Sequence, residues 1–234
     1  VYDIKQIDGE DYYDDCWKET TFNTTRSFNN LFFEHKDVFM NRMKFFLENK
    51  QWYYDKGIPY TLGIGLHGPP GTGKTSLIKA IAQYTKRHII CLPMKLFKTR
   101  KQLYQFFYES RYNRKHEKGS IEFDKKIVVI EDIDCLGDAV LKREFHKPEK
   151  KIHTSVYKKE KKREYDSDNE NITTIKIEQP DPITLDDVLN MWDGIRETPG
   201  RILIITSNHY DKLDPALTRP GRIDIEMEMS KLTK

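Results

Sequence analysis

Cysteine is scarce in this chain. Cys16, Cys91 and Cys135 are the three present in 234 residues, and none belongs to a CxxC. An odd, scattered set excludes a disulfide-built scaffold and reads as free thiols in a reducing intracellular compartment. Metal-ligand spacing is missing too. The seven histidines form no HExxH and no Cys/His cluster, which argues against a structural zinc. No stretch approaches the ~18 apolar residues of a membrane span, and no signal-peptide pattern is present. The chain opens on Val1 without an initiator methionine, so it reads as a piece of something longer; any membrane anchor would precede Val1. Its length suits one large domain or two small ones with a substantial core.

The net charge of +3 hides a local pattern. Residues 1–19 carry −5, residues 95–118 carry +6, and residues 142–170 carry +3. Residues 138–180, which include "KREFHKPEKKIHTSVYKKEKKREYDSDNENI", are rich in charge and poor in apolar groups. Such a segment cannot offset its ordering entropy by burial, so it is expected to be a mobile insertion.

Elsewhere strand and helix patterns alternate. Residues 37–50 place Val38, Phe39, Met43, Phe46 and Leu47 on one helical face, with Asp37 as the expected N-cap. "LGIGLH" (62–67) is an apolar run with small residues at alternate places, which suits a strand with close neighbours. "TSLIKAIAQYT" (75–85) is helical. "HIICL" (88–92), "KIVVIE" (126–131) and "RILIITS" (201–207) read as strands buried on both faces. Thr184 and Asp187 form a variant capping box that opens a further helix. "RIDIEMEM" (222–229) alternates apolar with charged residues, as an edge strand does. The class is therefore α/β with a mainly parallel sheet.

"GLHGPPGTGKT" (65–75) sets four glycines and two prolines around Lys74, after a strand and at the start of a helix. Gly68-x4-Gly73-Lys74-Thr75 is the Walker A pattern. Gly71 and Gly73 allow sharp turning, so successive amides and the helix start close on an anion. Gly68, Pro69, Pro70, Gly71, Thr72, Gly73, Lys74, Thr75 and Ser76 are thus the candidate nucleotide-binding residues. Lys74 would face the terminal phosphates of ATP, and the Thr75 hydroxyl is placed to ligate Mg²⁺. Glu131 and Asp132 follow four apolar residues where a buried strand emerges at its carboxyl end. One of the two would hold the metal and the other activate water; spacing alone does not say which.

With these motifs the chain resembles an AAA-type ATPase module. "GPPGTGKT", "VVIEDID" and "IITSNHYDKLDPALTRPGRID" carry the likeness, which covers about residues 25–229 apart from the insertion. "FLENKQWYYDKGIPYTLGIGLHGPPGTGKTS", "LNMWDGI" and the order Glu131-Asp132 look like the bcs-type branch, which assembles mitochondrial complex III. The resemblance implies a P-loop NTPase three-layer αβα sandwich. Residues 1–35 would be an acidic lead-in and residues 36–229 the core. Residues 230–234 would begin the connection to a helical lid that lies beyond this sequence. Alignment implies Glu131 on the metal side and Asp132 as base, with Glu131 the runner-up for that role. It also implies Asn208 as the sensor that orients water or touches the γ-phosphate. Arg219 and Arg222 would be the fingers that reach a neighbouring subunit's nucleotide. A homo-oligomeric ring that remodels or translocates protein would follow, with a mitochondrial inner-membrane location.

Two features depart from that pattern. Where many relatives carry an aromatic-glycine pore loop, this chain has "PMKLFKTRK", with Phe97 the nearest substitute. Residues 95–118 interleave basic groups with Phe97, Tyr104, Phe106, Phe107, Tyr108 and Tyr112. That composition keeps a nucleic-acid-handling ATPase as the alternative, against a helix whose Leu103, Phe106 and Phe107 face the core.

Overall fold

The computed structural model describes residues 1–4, 16–112, 119–142 and 183–230, without the side chains of 137–139. Most of the charged insertion expected over 138–180 lies outside the described residues. In chain order the strands and helices are β1 (Tyr2–Ile4), β2 (Trp17–Glu19), α1 (Lys36–Glu48), α2 (Lys50–Asp55), β3 (Thr61–His67) and α3 (Lys74–Thr85). After them come β4 (His88–Cys91), α4 (Arg100–Tyr108), β5 (Lys126–Ile130), α5 (Leu185–Asp193), β6 (Arg201–Ser207), α6 (Pro215–Thr218) and β7 (Ile225–Glu228).

The strands form one sheet in the order β2-β1-β4-β5-β6-β3-β7, parallel except where β2 meets β1. Each central strand is apolar on both sides because helices cover both faces. Along β6, Ile202 and Ile204 turn to one core layer with Phe46, Leu77 and Ile81. Leu203 and Ile205 turn to the other, with Phe106, Val188 and Trp192. This is the three-layer αβα arrangement. β7 lies at the outer edge, as the alternation in "RIDIEMEM" requires, with Glu226 and Glu228 exposed and Met227 buried.

Several expectations are corrected. Helix α1 starts at Lys36 after His35, whose φ is 56°, so Asp37 sits inside the first turn and is not the N-cap. Its charge still complements the helix dipole there. Val38 is 67% exposed, because the buried stripe runs through Phe39, Met43 and Phe46. The acidic lead-in also contributes to the sheet, through β1 and β2.

The basic segment resolves in favour of the core. Phe97, Phe106, Phe107 and Tyr112 are buried. The hydroxyls of Tyr104 and Tyr108 donate to Asp187 O (3.3 Å) and Met191 O (3.1 Å), tying α4 to α5. Those rings are committed to packing, so neither a stacking surface for bases nor an exposed pore aromatic at Phe97 is formed by the described residues. Among the described residues no helix is long and apolar enough to cross a membrane.

The alternating glycines of β3 have a specific cause. A Cβ on Gly63 would lie 1.7 Å from Arg222 O. The missing side chain lets the Asp224 amide donate to Gly63 O at 2.8 Å while the Gly63 amide donates to Asp224 Oδ2 at 2.9 Å. The expected outcome of Gly63→Ala is destabilisation by at least about 1–3 kcal/mol, the usual cost of overpacking. Denaturant titration measures it; unchanged stability would contradict this packing.

Candidate active site

Three neighbouring strands, β3, β6 and β5, deliver their carboxyl ends side by side. His67 is level with Ser207, and Ile130 with Ile205. The loop after β3, Asn208 after β6 and the acidic pair after β5 are therefore brought together at one edge of the sheet, where open α/β folds place ligands.

The loop is shaped by glycines in left-handed conformation. Gly68 has φ 125° and a Cβ there would meet Met229 O at 2.3 Å. Gly73, with φ 104°, is the N-cap of α3. The first turn-closing bond of α3 runs from the Leu77 amide to Gly73 O (2.9 Å). The amides before it have no intrahelical acceptor and point toward the loop, beside the positive end of the helix dipole. Lys74 Nζ donates to Gly68 O (2.5 Å), Pro69 O (3.0 Å) and Asn208 Oδ1 (3.0 Å). Its charge is thus held over the loop by carbonyl dipoles, which a phosphate oxygen can replace.

Glu131 and Asp132 stand at the exposed end of a strand whose five residues are all buried. Asp132 has φ 48°, a left-handed conformation that Asp tolerates better than most residues. Two bonds hold it: its amide donates to Thr206 Oγ1 (2.9 Å), and its carbonyl accepts from the Cys135 amide (2.9 Å). Asn208 Nδ2 lies 3.4 Å from Asp132 Oδ1. One amide side chain therefore joins the lysine to the carboxylate. Partial burial, then the charges of Asp132 and Asp3, raise the Glu131 carboxyl above the ordinary value, against the opposing influence of the nearby Thr75 side chain and Lys79. The two carboxylates thus have different company, one beside Thr75 and one beside Asn208.

Arg219 and Arg222 lie apart from this cluster. Among the described residues no hydrogen bond or ion pair links either to the loop, the acids or Asn208. Both approach one oxygen, Asp193 Oδ2, at 3.2 and 3.4 Å. Asp193 ends α5, a position where a carboxylate opposes the helix dipole unless cations attend it. The Arg219 side chain is 56% exposed, whereas that of Arg222 is 9% exposed and also donates to Ala216 O at 2.6 Å. Burial and the charge of Arg219 pull down the proton affinity of Arg222, against the support of Asp193.

Sequence reasoning missed Thr206 and Asp193. The first could have been suspected as a hydroxyl that follows the apolar run of residues 202–205, the second as an acid at a helix C-terminus.

The family described as "ATPase family associated with various cellular activities (AAA)" matches residues 64–231. AAA-ATPase At3g28600 of Arabidopsis thaliana is 34% identical over 218 residues, 92% of this chain and 40% of that protein. The mitochondrial chaperone BCS1 of Homo sapiens is 35% identical over 181 residues, 77% of this chain and 34% of that protein. AAA-ATPase ASD, mitochondrial, of Arabidopsis thaliana is 32% identical over 218 residues, 92% and 38% of the two chains. The chain thus spans about two fifths or less of the length of these relatives.

Lys74→Met removes the lysine that is bonded to the loop carbonyls Gly68 O and Pro69 O. Loss of a charged hydrogen-bond donor costs about 1.5–3 kcal/mol, so calorimetry should show ATP affinity lower by roughly 10- to 100-fold with the fold intact.

Proposed function

The chain belongs to the AAA family of ATPases, and from that membership we propose that it binds ATP with Mg²⁺ and hydrolyses the β–γ phosphoanhydride within a homo-oligomeric ring that remodels or translocates protein. The single observation that carries the reading is the convergence of Lys74, Asn208 and Asp132, linked at 3.0 and 3.4 Å across three adjacent strand ends.

The loop amides and Lys74 hold and orient the β- and γ-phosphates. Thr75 and Glu131, two hard-oxygen donors near one another, suit Mg²⁺, which keeps most of its shell for water and phosphate. When bound it would neutralise charge on the β- and γ-oxygens. Asn208 orients the attacking water. Asp132 accepts its proton as the water oxygen bonds to the γ-phosphorus and the bond to the β-phosphate oxygen breaks. Arg219, more than half exposed, is the guanidinium suited to extend into a neighbour's site. Arg222, sunk and doubly bonded, holds the turn that presents it, which narrows the expectation that both arginines reach across.

Protein is favoured over nucleic acid as the moved substrate because a relative is named a chaperone and four of the basic segment's six rings, Phe97, Phe106, Phe107 and Tyr112, are buried. Two relatives are named mitochondrial, and on that likeness we place this protein in mitochondria.

Asp132→Asn keeps a residue that tolerates a left-handed backbone. It should retain ATP binding and lose steady-state phosphate release; unaffected turnover would pass the base role to Glu131. Arg219→Ala should lower turnover by ~10³–10⁵, the range for an arginine supplied in trans, and wild-type specific activity should fall on dilution. Activity independent of concentration and of Arg219 would overturn the ring mechanism.

A further inference from the structure

The turn that carries Asn208 is held by hydrogen bonds at its two ends: the His209 amide donates to Ser207 Oγ (3.0 Å), and Lys212 O accepts from the Lys142 amide (2.9 Å). Residues 208, 209, 211 and 212 are exposed, while the flanking Ser207 and Leu213 are buried. Between those two anchors Tyr210 is the side chain that packs inward. Its ring stacks on His67 with centroids 4.6 Å apart and planes 17° from parallel. His67 is the last residue of β3 before the phosphate loop, and its Nε2 lies 3.2 Å from Glu226 Oε1 on β7. The ring passes over Gly65. A Cβ there would meet the Tyr210 hydroxyl at 2.8 Å and Cε2 at 3.0 Å. The hydroxyl is buried and has no hydrogen-bond partner among the described residues, so the ring is held by fit and stacking.

We propose that Tyr210, laid across the bare backbone of Gly65 and stacked on His67, is a positioning residue that pins the Asn208 turn to the phosphate-loop strand. It acts through Asn208, whose side chain must meet both Lys74 and Asp132. The inference rests on the ATPase reading for its kinetic consequence, but the pinning itself is independent of that reading. β6 fixes only the start of the turn. Without the ring, residues 208–212 keep a short 3₁₀ turn, Tyr210–Lys212, and the bonds at His209 and Lys212, but no inward-packed side chain before Leu213. A displacement of about 1 Å at such a group costs up to roughly 10²-fold in rate.

The test uses the full-length, assembled protein with two readouts, amide exchange over residues 208–212 and steady-state ATP turnover. Tyr210→Ala should speed exchange in that turn and lower kcat by roughly 10- to 100-fold while ATP affinity is retained. Tyr210→Phe, which keeps the ring, should match wild type in both. Gly65→Ala approaches from below and should reproduce the defect. Adding Tyr210→Phe to it removes the atom nearest the new methyl and should restore part of the loss. Unchanged exchange in Tyr210→Ala, or faster exchange with unchanged kcat, would overturn the proposal, as would a Gly65→Ala defect that the phenylalanine leaves untouched. A wild-type protein that neither binds nor hydrolyses ATP would defeat the ATPase reading, and the exchange measurements would still decide the pinning.

Discussion

Strand β6 pairs with β3 along its whole length, from Arg201 opposite Thr61 to Ser207 opposite His67, and on its other side with β5 from Ile202 to Ile205. That insertion sets the spacing of everything at the carboxyl edge. The phosphate loop, the amide side chain and the acidic pair belong to segments 56 residues or more apart in the chain, yet ladder hydrogen bonds place them within one or two side-chain lengths. Neighbouring strands lie about 4.8 Å apart, so an amide on the middle strand is the group with reach to both sides. Asn208 occupies that place. Its dipole presents oxygen to the lysine and nitrogen to the aspartate, which suits the charges on each side.

The same sheet explains the separation of the two carboxylates. Thr75 and Lys79 of α3 act on Glu131, whereas Asp132 meets Asn208 across the sheet. The left-handed backbone at Asp132, held by Thr206, fixes this divergence. The two carboxylates therefore meet different neighbours.

Much of this was legible in the residues. Short β-branched runs are dictated by double-sided burial, so β4, β5 and β6 could be read locally, and the glycine spacing before Lys74 has a mechanical reason that survives in the structure. The Thr184–Asp187 cap also stands as read. What could not be read depends on distant partners. β1 and β2 have three residues each, separated by an acid-rich stretch; β1 is a strand through pairing with β4, and β2 through pairing with β1. The placing of β6 between β3 and β5 is a property of the whole sheet. Asp193 and Tyr210 have no local signature, because their significance lies in guanidinium groups and an imidazole brought to them by the fold.

The oxygen shared by Arg219 and Arg222 has an energetic corollary. Stranding a carboxylate without a counterion is what ordinarily makes an ion pair costly to open. With Arg222 also at Asp193, withdrawal of Arg219 would leave the carboxylate still compensated and would relieve the repulsion between the two guanidiniums. The second arginine thus lowers what it would cost the first to leave.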